Sequence, residues 1–201
     1  IIDTKTGQPM FTPYLIKETT VQDNDGKTQI LRIGYIGFVP PQIMTWDKAN
    51  LSGKVTVNDI TETARKYVPQ MRAEGADVVI VVGHTGWERK PKDSGKLEAW
   101  GSPDNWVDTG QAEENWALRL ADNVPGLDAI VAGHDHLAVP MVAKMGDIVT
   151  TDVIITQPGQ WGDYVSRIDI ALERGADGRW HVAERSSTVV PMAGVQPAPE
   201  V

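Results

Sequence analysis

Val131-Ala132-Gly133-His134-Asp135-His136 closes an apolar run that begins at Leu127, and it sets two of the chain's four histidines two residues apart behind a glycine. The run reads as a strand. In extended backbone, residues i and i+2 face the same side, so His134 and His136 are expected to aim both imidazoles at one spot. Neutral imidazole is the commonest protein ligand for metals of intermediate softness. A second apolar run, Ala76 to Val82, ends in the same way, in Gly83-His84. It is nearly all β-branched and shows no alternation, the pattern of a strand buried on both faces. Two strand ends thus bring three histidines to one sheet edge. Strand, helix, strand with short links indicates a parallel βαβ unit and an α/β fold.

Outward from this pair, Phe11 to Val21 and Gln29 to Val39 read as strands joined by the turn Asp23-Asn24-Asp25-Gly26. Pro40-Pro41 stops the second, and Gln42 to Gly53 is expected to be irregular. A helix is expected from Ile60 to Ala73, with Asp59 as cap and Glu62 completing a capping box. Pro69 should kink it or end it early. Trp87 to Gly110 turns polar and reads as a long surface loop, functional or merely tolerated. A second helix is expected from Gln111 to Asn123, capped by Asp108 or Thr109. The remainder, Val149 to Gln157, Tyr164 to Leu172 and Arg179 to Val190, is β-rich.

The residues carry unequal weight. His134 and His136 favour a metal on spacing and strand context. His84 stays open between a ligand and a histidine satisfied by nearby backbone. Asp135 reads as a turn-forming carboxylate bonded to local amides. Gly83, Gly133 and Gly159 are candidate pocket-lining residues, the first two because they let backbone pass close to a ligand. Trp161 could border the same pocket, although packing is the better reading. His181 reads as a surface residue. A two-metal site needs anionic bridging ligands, and no carboxylate partner is evident.

The totals exclude several classes. A chain of 201 residues with a formal charge of -8 and pI near 4.9 lacks the basic stripe of a nucleic-acid-polymer binder. No apolar run reaches the ~18 residues of a membrane span. Zero cysteines remove disulfides and thiolate metal ligation. The chain opens Ile1-Ile2-Asp3-Thr4 and closes on a Pro-Ala-Pro tail, so it is expected to be a piece of something longer.

With Phe11 to Glu18, Ile33 to Pro41, Trp46 to Leu51, Asp59 to Ala64, Gly83-His84-Thr85-Gly86, Gly133-His134-Asp135-His136 and Gly159 to Asp163 in hand, the chain resembles the calcineurin-like metallophosphoesterases. Within them it is most similar to the bacterial 5′-nucleotidase and 2′,3′-cyclic-nucleotide 2′-phosphodiesterase branch. The resemblance implies a four-layer α/β/β/α sandwich, of which this is the second half only. It implies two divalent metal ions (Zn, Mn, Fe, Co or Mg), with His84 and His134 on one and His136 on the other. The family's Asp-x-His motif, bridging aspartate and Asn-His pair come earlier in sequence and are absent here. So is the C-terminal domain that clamps the nucleoside. Residues 1–190 are therefore expected to be a partial catalytic domain and 191–201 a linker. The implied parent hydrolyses nucleotide phosphoesters, in the periplasm or outside the cell. This chain alone is expected to be inactive. The alternatives are a non-catalytic half-domain and an amidohydrolase-type metal hydrolase.

Overall fold

The computed structural model describes residues 1–93, 106–111, 113–142, 153–196 and 198. A short strand β1 (Ile2–Asp3) opens the chain. The expected hairpin follows: β2 (Tyr14–Gln22) runs antiparallel to β3 (Thr28–Phe38), with Tyr14 opposite Ile36. Asp23 closes the turn by accepting from the N–H groups of Asp25 and Lys27, while Gly26 takes a φ of +76°. The stretch expected to be irregular forms two single-turn helices, α1 (Ile43–Trp46) and α2 (Lys48–Leu51). The proline pair that stops β3 also starts α1, because the Pro40 and Pro41 carbonyls accept from Ile43 and Met44. Strand β4 (Val55–Thr56) then returns to pair with β1.

Helix α3 (Ile60–Ala73) is capped as expected, the Asp59 carboxylate accepting from Glu62 N–H at 2.8 Å. Pro69 neither ends it early nor keeps it from reaching Ala73. Val68 and Met71 flank the proline and are fully buried. Burying two such side chains contributes about 1.5–3 kcal/mol each, enough to offset the ~3 kcal/mol proline penalty. Strand β5 (Val78–Gly83) is buried along most of its length, but Val82 is 52% exposed, so the strand is not covered on both faces at its carboxyl end.

The polar stretch after β5 is not a simple surface loop. Its two ends pair as β6 (Arg89–Pro91) and β7 (Trp106–Asp108), and Trp87 and Trp106 meet edge to face in the core with centroids 5.9 Å apart. Residues 94–105 lie outside the described set. Helix α4 (Ala117–Asn123) starts later than Gln111. The Glu88 carboxylate caps it, accepting from the N–H groups of Leu118 and Arg119 at 2.9 and 3.0 Å. A cap reaching in from so far upstream leaves no local signature. The chain continues through β8 (Ala129–Val131), β9 (Ala138–Val142), β10 (Ile154–Pro158), β11 (Tyr164–Arg174) and β12 (Trp180–Pro191). Strand β9 has no counterpart in the sequence reading, and residues 149–152 of the expected strand before Gln157 are outside the described set.

Six strands form one sheet in the order β2-β3-β5-β8-β10-β9. The inner four run parallel and the two edge strands antiparallel. Alternation along β10 separates its faces. Ile155 joins Val79 and Ile130 in the core under α3 and α4, whereas the next residue, Thr156, donates to Ser166 Oγ of β11 at 3.0 Å. Helices therefore cover one face and the β11–β12 hairpin the other. This mixed α/β arrangement corresponds to one half of the expected four-layer sandwich. The described sheet is open, which removes the barrel that an amidohydrolase requires.

Buried Asp128 ties the layers together. It accepts from Val79 N–H at 2.8 Å and pairs with Arg72 of α3 and Arg185 of β12. Removing one partner of such a group costs about 3–5 kcal/mol.

Candidate metal centre

Strands β5 and β8 are parallel neighbours, so the residues after them emerge at the same sheet edge. His84 N–H donates to Phe38 O at the end of β3 at 2.9 Å, and Gly133 N–H donates to Thr85 O at 3.1 Å, which locks the β5 and β8 ends side by side. The extended i, i+2 geometry does not hold beyond that point. His134 has φ +79° and His136 φ +60°, both left-handed, a conformation costing roughly 1–2 kcal/mol per non-glycine residue.

Asp135 stabilises this turn through distant groups rather than the local amides expected of it. Its carboxylate accepts from the Trp87 backbone N–H at 2.8 Å and from the Gln157 side-chain amide. Of the glycines at the two strand ends, packing demands Gly86 most and Gly133 least, while a Cβ on Gly83 would meet Thr85 Cγ2 at a tight 3.0 Å. A Cβ on Gly86 would lie 2.7 Å from Asn115 Oδ1 and closer still to the Asp135 carboxylate. At Gly133 it would meet Gly83 O at an ordinary 3.6 Å. Gly159 takes φ +74° and donates to Leu137 O at 3.0 Å, which brings its loop beside the histidine turn.

Two of the three candidate ligands meet directly. His134 Nδ1 stands 3.2 Å from His84 Nε2, while His134 Nε2 stands 3.0 Å from Glu114 Oε2. Trp46 stacks on the His134 ring (centroids 4.8 Å, 20° between planes) and lies nearly perpendicular to His84 (centroids 6.4 Å, 82°). Burial, followed by the charges of His134 and His136, holds the His84 imidazole below its usual pKa. A lowered pKa favours the neutral ring, the form that ligates. His136 is exposed and lies toward Trp161, at a centroid distance of 6.2 Å. Trp161 is 86% exposed with φ +53°, so it does not pack as expected. His181 pairs with Asp177 on the surface, as an outlying residue would.

The donor set fits a cation in part. Two nitrogens bound ~2.1 Å from one ion at roughly tetrahedral to octahedral angles stand about 3.0–3.4 Å apart, which brackets the observed His84–His134 separation. Among the described residues, however, no three His, Asp or Glu side chains converge closely enough to hold an ion by themselves. Glu114 was missed from sequence because nothing in Glu113-Glu114-Asn115-Trp116 marks which carboxylate turns inward. The turn is aimed by tertiary bonds: Thr85 Oγ1 donates to Glu114 O at 2.9 Å, and the Asn115 side chain bridges Gly86 N–H and Trp87 O.

No family model matches the chain. It is 48% identical over 200 residues to the 2′,3′-cyclic-nucleotide 2′-phosphodiesterase/3′-nucleotidase of Salmonella typhimurium, a match covering 96% of this chain and 28% of that protein. It is 40% identical over 200 residues to the trifunctional nucleotide phosphoesterase protein YfkN of Bacillus subtilis, covering 96% of this chain and 12% of that one. The crystal structure of calcineurin-like phosphoesterase YfkN from Bacillus subtilis superposes with a TM-score of 0.74 at 36% identity, over 98% of this chain and 55% of that one. The chain thus spans only part of the length of each relative.

Proposed function

We propose that this chain, a homologue in sequence and fold of the calcineurin-like phosphoesterases and of the 2′,3′-cyclic-nucleotide 2′-phosphodiesterase/3′-nucleotidases among them, is the histidine-bearing part of a nucleotide phosphoester hydrolase. The observation that carries the reading is the approach of His84 Nε2 to His134 Nδ1 across adjacent parallel strand ends. His84 and His134 hold one divalent cation and His136 a second. Imidazole donors favour Zn, Fe or Co over Mg. When bound, such cations stabilise charge on phosphoryl oxygens and lower the pKa of a water molecule. The histidines fix position and move no proton. Trp161, exposed beside His136, and Gly159 border the substrate side.

The acidic bridging ligand and the leaving-group acid come from polypeptide outside this segment. An open groove of about 1030 Å³ supports this, since Phe11, Phe38, Tyr67 and half-exposed Val82 line it. Apolar surface of that kind marks a contact. Residues 1–190 belong to the catalytic domain, and 191–201 lead towards a nucleoside-binding domain. The parent acts in the periplasm or outside the cell. The test is hydrolysis of bis-p-nitrophenyl phosphate and 2′,3′-cyclic AMP with manganese. The whole parent polypeptide turns both over and loses that activity on His134→Ala, whereas residues 1–201 alone give none. An unimpaired His134→Ala parent would overturn the proposal.

A further inference from the structure

We propose that Glu114 is a positioning residue that sets the tautomer and the aim of His134. This rests on the reading of His134 as a cation ligand. The ring has two nitrogens with different neighbours: Nε2 faces the Glu114 carboxylate at 3.0 Å and Nδ1 faces His84 Nε2 at 3.2 Å. A carboxylate offers only acceptors, so the proton of the neutral ring resides on Nε2 and the lone pair of Nδ1 points at the gap between the two histidines. Ligating histidines are generally oriented by such a partner on the far nitrogen. The arrangement is built rather than incidental. Thr85 Oγ1 holds the Glu114 carbonyl, and Asn115 clamps the next residue to Gly86 and Trp87, in the same loop that carries His84. The turn that presents the carboxylate is therefore fastened to the strand end that presents the other ligand. Trp46, stacked on the face of the His134 ring, restricts its tilt while Glu114 fixes its rotation. His134 needs this help because its backbone is left-handed and gives the side chain no strand to lean on.

The test uses the full polypeptide carrying this segment, with Zn2+ and Co2+ as probes. Long-range 1H–15N correlation on the metal-free protein reports the tautomer directly. The wild type is expected to show His134 protonated at Nε2, and Glu114→Ala to show a mixture. Zn2+ affinity is expected to fall about 10–100-fold in Glu114→Ala. It should recover in Glu114→Gln, whose amide oxygen still accepts from Nε2. Thermal midpoints of the metal-free variants should match that of the wild type, which a merely structural role would not allow. Unchanged affinity and tautomer in Glu114→Ala, or a Glu114→Gln variant as weak as Glu114→Ala, would overturn the proposal. Failure of the wild type itself to bind Co2+ or Zn2+ would instead refute the metal-site reading beneath it.

Discussion

Asp135→Ala cuts the bond between the two histidine loops, and its cost follows from two donors. The Trp87 backbone N–H and the Gln157 side-chain amide both end on the Asp135 carboxylate, and Trp87 and Gln157 are fully buried. Each orphaned buried donor costs about 1–3 kcal/mol, hence ~2–6 for the two. Relaxation of a left-handed histidine returns roughly 1–2 kcal/mol, which at the middle of both ranges leaves a net destabilisation of about 2.5 kcal/mol. At ~2–4 °C per kcal/mol for a chain of this size, the thermal midpoint drops by roughly 5–10 °C. Asp135→Asn separates the bonding explanation from a simple loss of volume. Gln157 Oε1 is a buried acceptor without a partner. Turning the Gln157 amide over would let it accept from the amide introduced at position 135, while the oxygen of that same amide keeps the Trp87 bond. That variant should lose only about 1 kcal/mol, since one unpaired atom replaces another. Urea unfolding of both variants gives the numbers. An Asp135→Ala stability within ~0.5 kcal/mol of wild type, the range of an ordinary surface change, would refute the reasoning, as would Asp135→Asn losing as much as Asp135→Ala.

Other outcomes follow from the same loops. Gly86→Ala should destabilise by about 1–3 kcal/mol through overpacking against Asn115 and Asp135, while Gly133→Ala, with its Cβ in ordinary contact, stays within ~0.5 kcal/mol in the same urea assay. The pH dependence of the metal-free chain has a definite sign. Burial and the neighbouring histidines hold His84 below its usual value of 6.5 in the native state, so the unfolded chain binds more protons there. The contribution is present above about pH 6.5 and is lost as pH falls through the lowered native pKa. Denaturation midpoints followed downward from pH 7.5 should fall less steeply in His84→Gln than in wild type.

What could be read from sequence was what local chemistry dictates. The β-branched run before Gly83 and the shorter run before Gly133 announce buried strands, and they are parallel neighbours. Asp59 with Glu62 announces the start of α3. The errors arise where distant groups decide. Glu88 caps α4 from the preceding loop, so its start at Ala117 has no local signal. Trp87 and Trp106 draw the ends of a polar stretch into the core. At the site, glycine-histidine endings after two strands were enough to bring His84 and His134 together. Spacing gave the wrong reason for His136, because both histidines of the turn are left-handed and Asp135, reaching Trp87 and Gln157, helps to hold them so. Glu114 and Trp46 were invisible as ring neighbours for the same cause: each arrives on its own turn from another part of the chain. Trp161 was expected to pack, and a left-handed turn instead sends it outward.

The most direct measurement is anomalous diffraction at the zinc or manganese edge from crystals of the parent polypeptide grown with that metal. An ion bonded at ~2.1 Å to both His84 Nε2 and His134 Nδ1 is expected, with the 3.2 Å separation of the two nitrogens preserved. A metal that binds elsewhere while the two rings stay hydrogen-bonded to each other would contradict the shared-cation reading.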